Sequence, residues 1–206
     1  EGNILGNLGI ACHSLGRYHE AVANHTAALE ISREIGDRRG EGRHLGNLGN
    51  AYRSLGRYDE AIANITAALE ISREIGDRQS EGTHLGNLGR AYLNLGRYHE
   101  AVANCTSAQG IYDELWRELR TDRDRVMFGD GHLQRIATVL QMAYMRTDKP
   151  LEALMVAEGA KSRAFELLLA QQRLTQSSSL GADEAVASGS ALDWATLQAV
   201  AVQERA

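Results

Sequence analysis

Proline is almost missing from this 206-residue sequence, with Pro150 its one example, and aromatic residues make up only 5% of it. That scarcity suits a helix-rich chain. Cysteine is scarce too: Cys12 and Cys105 fit neither a disulfide framework nor a zinc spacing, which points to a reducing, cytoplasmic setting. No run of about 18 apolar residues offers a membrane span, and no signal peptide opens the chain. Positive charge is not in excess, since the net charge is −5, so neither a nucleic-acid footprint nor a membrane partner is expected. Lysine is nearly absent as well. Of 22 basic residues only Lys149 and Lys161 are lysines, and arginine favours directional pairing with carboxylates.

What the sequence does contain is repetition. GNLGIACHSLGRYHEAVANHTAALEISREI at 6–35 returns at 46–75 with 6 differences in 30 positions, and a third copy at 86–115 differs from the second at 12. The period is 40 residues, and a fixed period in this range is the signature of a solenoid whose units bury their apolar faces against one another. The chain begins inside a repeat, as expected of a piece excised from a longer protein.

Each repeat reads as two helices. Leu45, Leu48, Tyr52 and Leu55 form one helical stripe, Gly56 and Arg57 make the turn, and Tyr58, Ala61, Ile62, Ile65, Ala68, Leu69, Ser72 and Ile75 form the second stripe. Gly76 suits the left-handed residue that ends a helix, and Asp77 suits the cap of the next; Gly36 and Asp37 do the same one repeat earlier. At 100° per residue, Gly46 and Gly49 fall on a shoulder beside the leucine–tyrosine stripe. A glycine there lets a neighbouring helix approach closely. A phosphate-binding loop would instead need a preceding strand and a G-x-G-x-x-G or G-K-[ST] pattern, which this sequence lacks.

The order Leu48-Gly49, Tyr52, Gly56, Tyr58, Ala61, Ala68-Leu69 resembles the tetratricopeptide repeat (TPR). The common form is about 34 residues long, and the longer GNLG-AY--LG-Y-EA unit with its closing GDR is similar to the repeats of LGN/Pins scaffolds. It is closer still to those of tetratricopeptide repeat protein 28-like proteins. The resemblance covers residues 2–120, as repeats at about 2–38, 39–78 and 79–120. It implies an all-α, right-handed superhelix of stacked antiparallel helix pairs whose first helices line a concave groove for extended peptides.

The wheel places that groove independently, because Arg43, Asn47, Asn50 and Ser54 lie opposite the core stripe. Asn7, Asn47 and Asn87 occupy one repeat position and form a ladder of carboxamides, able to donate and accept along an extended backbone. Arg43 and Arg90 add forks for carboxylates, and Asn50 and Asn94 extend the polar lining. In the family the ladder asparagine touches bound peptide, which the resemblance carries to these three positions. The expected partner is a peptide rich in Asp or Glu, with no cofactor and no metal.

Other features read blandly. Asn24, Asn64 and Asn104 each begin a glycosylation pattern, but mid-helix and without a secretion signal. The histidines, among them His13, His19, His25, His44, His84 and His99, are expected on the surface or in the groove, since no two share a face with a carboxylate at metal spacing. Cys12 and Cys105 read as small core residues. Glu30, Arg33 and Glu34, like Glu70, Arg73 and Glu74, read as a solvated face of in-helix ion pairs.

Beyond Leu115 the core word reappears as LQMAYMRTDKPLEAL at 140–154, offset by 52 from 88–102. The extra residues, around WRELRTDRDRVMFGDG, are expected either to lengthen the third pair's second helix or to extend the fourth pair's first. Val139 replaces the groove asparagine, so this degenerate pair over 121–173 is expected to be a cap and not a peptide reader. The amphipathic segment 151–172 with its Arg163-Ala164-Phe165 word resembles the helix that joins such repeats to a CHAT domain, a caspase-like fold. Residues 174–190 read as a linker, and 191–206 as a short helix capped by Asp193 that opens a truncated CHAT-like domain. No catalytic pair from that family is present. Two function classes follow: a non-enzymatic peptide-binding scaffold, with a role in cell division implied by the resemblance, or the regulatory arm of a CHAT-type protease. The outer surfaces of the terminal helices are a candidate face for self-association.

Overall fold

The computed structural model describes residues 1–129 and 131–179. Within them the chain forms α1 (Gly2–Ser14), α2 (Tyr18–Glu34), α3 (Arg38–Ser54), α4 (Tyr58–Glu74), α5 (Arg78–Asn94), α6 (Tyr98–Glu118), α7 (Asp122–Phe128), α8 (Gly131–Arg146) and α9 (Pro150–Ser179). No strand occurs among the described residues. The helices pair as α1/α2, α3/α4, α5/α6 and α8/α9, each pair packing on the next.

The period of 40 has a simple composition. Helices α3, α4 and α5 each hold 17 residues, and three-residue turns join them. The turns between pairs close on a glycine and an aspartate. Gly76 sits at φ 69°, the Asp77 N–H reaches back to the Ser72 carbonyl at 2.9 Å, and the Asp77 carboxylate accepts from the Ser80 N–H at 3.0 Å. One glycine thus ends α4 and one aspartate starts α5. Within a pair, Gly56 at φ 75° lets the Arg57 N–H bond the Tyr52 carbonyl at 2.9 Å, and the Arg57 guanidinium lies 4.7 Å from the Tyr52 ring centroid. In the fourth pair Asp148 takes over the left-handed position at φ 57°.

The two shoulder glycines of each repeat have different partners. A β-carbon on Gly49 would come 2.3 Å from Ile65 Cγ1 and 3.0 Å from the Ala61 carbonyl, so this glycine seats the second helix of its own pair. Gly9 faces His25 and Gly89 faces Cys105 in the same way. A β-carbon on Gly46 would come 2.5 Å from His84 Cε1, so that glycine seats the first helix of the next pair. Gly6 faces His44 likewise, and Gly86 faces Ile136 at 3.4 Å. That last contact carries the 52-residue offset into three dimensions, with Ile136 standing where His84 and His44 stand in earlier repeats.

The core runs along the stack, from Leu29, Leu45, Leu48 and Ala68 to Leu85, Leu88, Tyr112, Ile136 and Leu140. At its near end Leu8 is 49% exposed, where Leu48 and Leu88 are 3% and 4%, because no pair covers the outer face of α1. Of the two places the sequence allowed for the inserted residues, the first takes part of them. Helix α6 lengthens to 21 residues, and the remainder forms the separate helix α7, capped by Thr121, which packs on α9. Helix α8 begins only at Gly131 and gains no turn at its start. Helix α9 runs to Ser179, six residues into the stretch read as linker. The rest of that linker and the 191–206 helix lie outside the described residues. Among the described residues, no helix is long and apolar enough to cross a membrane.

The candidate peptide-binding cleft

The first helices of the pairs frame two adjoining clefts. One, of about 400 Å³, is bounded by α1, α3, α5 and α8, and its polar lining includes Asn50, Arg53, Arg90, His132 and Arg135. The other, of about 310 Å³, lies between α3 and α5 beside Arg43 and Asp77. Asn47, Asn50, Thr83 and Asn87 line both, which makes them the wall the clefts share. Asn47 and Asn87, at equivalent repeat positions, are both half-buried and lie on this wall. Asn7 and Asn94 are exposed and line neither cleft. Of the residues assigned to the groove from sequence, Arg43, Asn47, Asn50, Asn87 and Arg90 are therefore brought together. Arg43 is already engaged, donating to Asn3 Oδ1 at 2.8 Å.

The larger cleft is lined by Arg53, Arg90 and Arg135 and, among the described residues, by no Asp or Glu. Along the outer turns several arginines find carboxylates. Arg73 reaches Glu81 at 3.0 Å, and Arg78 spans Glu81 and Glu114, each at 2.7 Å; Arg33 and Arg38 meet Glu41 and Glu74 one repeat earlier. Arg38–Glu41 and Arg78–Glu81 lie within one helix, but Arg33 and Arg73 pair across the turn and not within their own helix as expected, because they sit at helix ends where the next helix's first turn offers Glu41 or Glu81. Burial resists ionisation of Glu81, but Arg73 and then Arg78 outweigh it and hold its carboxyl below the usual range. The three cleft arginines have no ion pair among the described residues. Arg53 Nε is buried without a hydrogen-bond partner, and burial, then the charge of Arg90, pulls the Arg53 guanidinium below its ordinary value.

Three histidines expected on the surface or in the groove are buried, although His25 and His84 border the clefts. His25, His44 and His84 are 2%, 1% and 6% exposed, because glycines at 9, 6 and 46 leave hollows that the imidazoles fill. Each has a buried Nδ1 without a partner. Burial pushes His25 and His84 down to about 4, so both are neutral knobs at neutral pH. Cys12 and Cys105 are free and buried, and burial raises the Cys105 thiol to about 12. Asn24, Asn64 and Asn104 each donate to the backbone carbonyl four residues earlier at 2.8 Å. Among the described residues, no group of three or more His, Cys, Asp or Glu is placed to hold a metal.

Helix α8 contributes to the cleft wall, contrary to the expectation that the fourth pair stands apart. Val139 is indeed core, at 3% exposure, but Arg135 and His132 line the cleft. Buried Tyr112 holds this end together, its hydroxyl 2.8 Å from Thr83 Oγ1 and 3.1 Å from His132 Nδ1. Arg135 Nη2 also reaches that nitrogen at 3.2 Å, and since a guanidinium only donates, Nδ1 accepts and the ring proton sits on Nε2. One signal in the sequence could have found more of this lining. Repeats one and two differ at only 6 of 30 aligned positions, and two of those, Ile10/Asn50 and His13/Arg53, line the larger cleft from both copies.

No curated protein matches the sequence. Among solved structures the chain is similar to BtubC (BKLC) from P. vanneervenii, with 20% identity and a TM-score of 0.68 over 81% of this chain and 64% of that one. It is similar to a Rap protein complexed with competence and sporulation factor, with 16% identity and a TM-score of 0.68 over 81% of this chain and 43% of that one. It also resembles a Podosopora anserina protein ascribed to the kinesin light chains, with nearly identical TPR-like repeats: 19% identity and a TM-score of 0.62 over 89% and 90% of the two chains. The chain thus spans less than two thirds of the first two, and at these identities the likeness concerns the fold. The family profile of the tetratricopeptide repeat matches residues 1–74 and 41–114, more than half the sequence. With its helix pairs stacked as a TPR solenoid, the chain belongs to the tetratricopeptide repeat family.

Proposed function

We propose that this protein is an interaction scaffold that holds an extended, acidic peptide segment of a partner in the cleft between α1, α3, α5 and α8. The observation that carries the reading is the charge there: Arg53, Arg90 and Arg135 line a cleft to which no described residue brings a carboxylate, in a chain whose net charge is −5. Arg33, Arg38, Arg73 and Arg78 already have carboxylate partners, so an incoming carboxylate gains more at the cleft arginines. Asn47 and Asn87 supply amide donors and acceptors for a strand that has no neighbours of its own. That a structurally similar Rap protein is complexed with competence and sporulation factor supports a recognition role. Selection from a random peptide library tests this. Binders are expected to be rich in Asp and Glu and to lose affinity about tenfold or more on Arg90→Glu; binders without acidic bias that ignore that change would refute it.

Family resemblance extends the proposal to the cytoplasm and to a role in cell division of the kind tetratricopeptide repeat protein 28-like proteins suggest. A second reading, the regulatory arm of a CHAT-type caspase-like protease, draws on α9. That helix bears the Arg163-Ala164-Phe165 word and leaves Phe165 and Leu168 exposed, at 41% and 58%, as a seat for a following domain. Loss of protease activity in a full-length CHAT-containing protein on Phe165→Asp and Leu168→Asp would favour it. Self-association through α1, where Ile4 and Ile10 are 72% and 48% exposed, is compatible with either reading and is read by sedimentation.

A further inference from the structure

Resting on the acidic-peptide reading, we infer that the larger cleft holds a station for a phosphoryl group carried on a serine or threonine of the bound segment, with Arg53, Arg90 and Arg135 as its ligands. The three guanidiniums come from α3, α5 and α8, so they converge from different pairs of the solenoid. None has an ion-pair partner among the described residues, and Arg53 Nε is buried with no acceptor. A single carboxylate offsets one of three charges and offers two oxygens. A phosphoryl group brings close to two negative charges and three acceptor oxygens, which matches forks arriving from several sides.

The surroundings favour the same ligand. Asn50 and Asn87 add neutral amide donors, and His132 carries its proton on Nε2 because Nδ1 is taken by Tyr112 and Arg135. Tyr112 is fully buried and braced by Thr83, so the wall bearing His132 and Arg135 is fixed before any ligand arrives. The fourth pair therefore completes the station, since Arg135 occupies the place of Thr83 and Arg43 in earlier repeats. A cleft of about 400 Å³ has room for a phosphorylated side chain.

The test compares short degenerate peptides whose central residue is fixed as serine, glutamate or phosphoserine, with inorganic phosphate and a single-stranded oligonucleotide alongside, by fluorescence anisotropy. The phosphoserine pool is expected to bind about tenfold tighter than the glutamate pool. Arg90→Gln and Arg135→Gln should erase that advantage without changing the circular dichroism, while Arg123→Gln on α7 should leave it intact. A phosphoserine pool no tighter than the glutamate pool would overturn the phosphoryl station and leave the acidic-peptide reading standing. Glutamate and phosphoserine pools that both bind no better than serine would sink both readings. Inorganic phosphate or the oligonucleotide binding as tightly as the phosphoserine pool would also overturn the inference, because the site would then serve a free anion or a nucleic acid.

Discussion

His84 stands over Gly46: a β-carbon added to that glycine would lie 2.5 Å from the imidazole Cε1. This contact joins two successive repeats, as His44 over Gly6 and Ile136 over Gly86 do on either side. The solenoid is thus built on missing side chains. A GNLG motif in the first helix of each of the three repeats leaves one hollow for its own pair and one for the next.

The glycines therefore respond differently to alanine. Gly49→Ala places a methyl 2.3 Å from Ile65 Cγ1 and 3.0 Å from a backbone carbonyl, and is expected to cost about 1–3 kcal/mol in urea unfolding. Gly86→Ala meets Ile136 at 3.4 Å, an ordinary contact, and is expected to be neutral or to gain up to about 1 kcal/mol from helix propensity. Equal effects at the two sites would contradict the hollow-and-knob account.

Acid should loosen the repeat stack. His84 has a folded pKa of about 4 against 6.5 in the ordinary state, chiefly from burial, with Asp77 opposing. The unfolded chain takes up the proton first, so stability is full above 6.5 and falls as pH drops from 6.5 towards 4. At about 1.4 kcal/mol per unit, His84 alone withdraws about 3 kcal/mol over that window. His84→Ile, which copies the Ile136 position, should flatten this part of the stability–pH curve. An unchanged slope would mean the imidazole is not the titrating group.

The ion-pair ladder adds a second acid-sensitive element at lower pH. Glu81 is held below its usual pKa by Arg73 and Arg78 against the cost of burial, so its contribution is present above 4.5 and is lost as pH falls through its folded value. Arg78→Met, which removes the bridge between Glu81 and Glu114, is expected to cost about 1 kcal/mol in dilute buffer and less in molar salt. Thermal unfolding at two salt concentrations reads the difference.

Cys105 should be inert while the protein is folded. Its thiol is fully buried against Gly89 and raised to about 12, so iodoacetamide at mildly alkaline pH should leave it unmodified until urea is added. Rapid native-state alkylation of Cys105 would show that the α5/α6 seam opens.

Much of the fold is legible in the sequence because its determinants are local. Gly76-Asp77 specifies an ending and a start within two residues, and the Leu45–Leu48–Tyr52 spacing specifies a face. The glycine shoulder follows from the helical angle alone. What escaped local reading depends on partners far along the chain. His44 and His84 look polar and exposed until Gly6 and Gly46, 38 residues earlier in each case, are placed beneath them. The insertion before the fourth pair splits between a longer α6 and a separate α7, where Leu119 is extended and Thr121 caps a new start. Arg135 joins the cleft through the 52-residue offset. Val139 misled because it was read one turn from the residues that face the cleft.

The most direct measurement is the dissociation constant of the tightest library-selected acidic peptide for the protein and for Asn47→Ala/Asn87→Ala. Both residues are half-buried on the wall between the clefts and hold no core position, so the fold should survive. The account predicts binding weakened by about tenfold or more, as expected for loss of two hydrogen-bonding amides at roughly 1 kcal/mol each. Unaltered affinity in the folded double variant would contradict it.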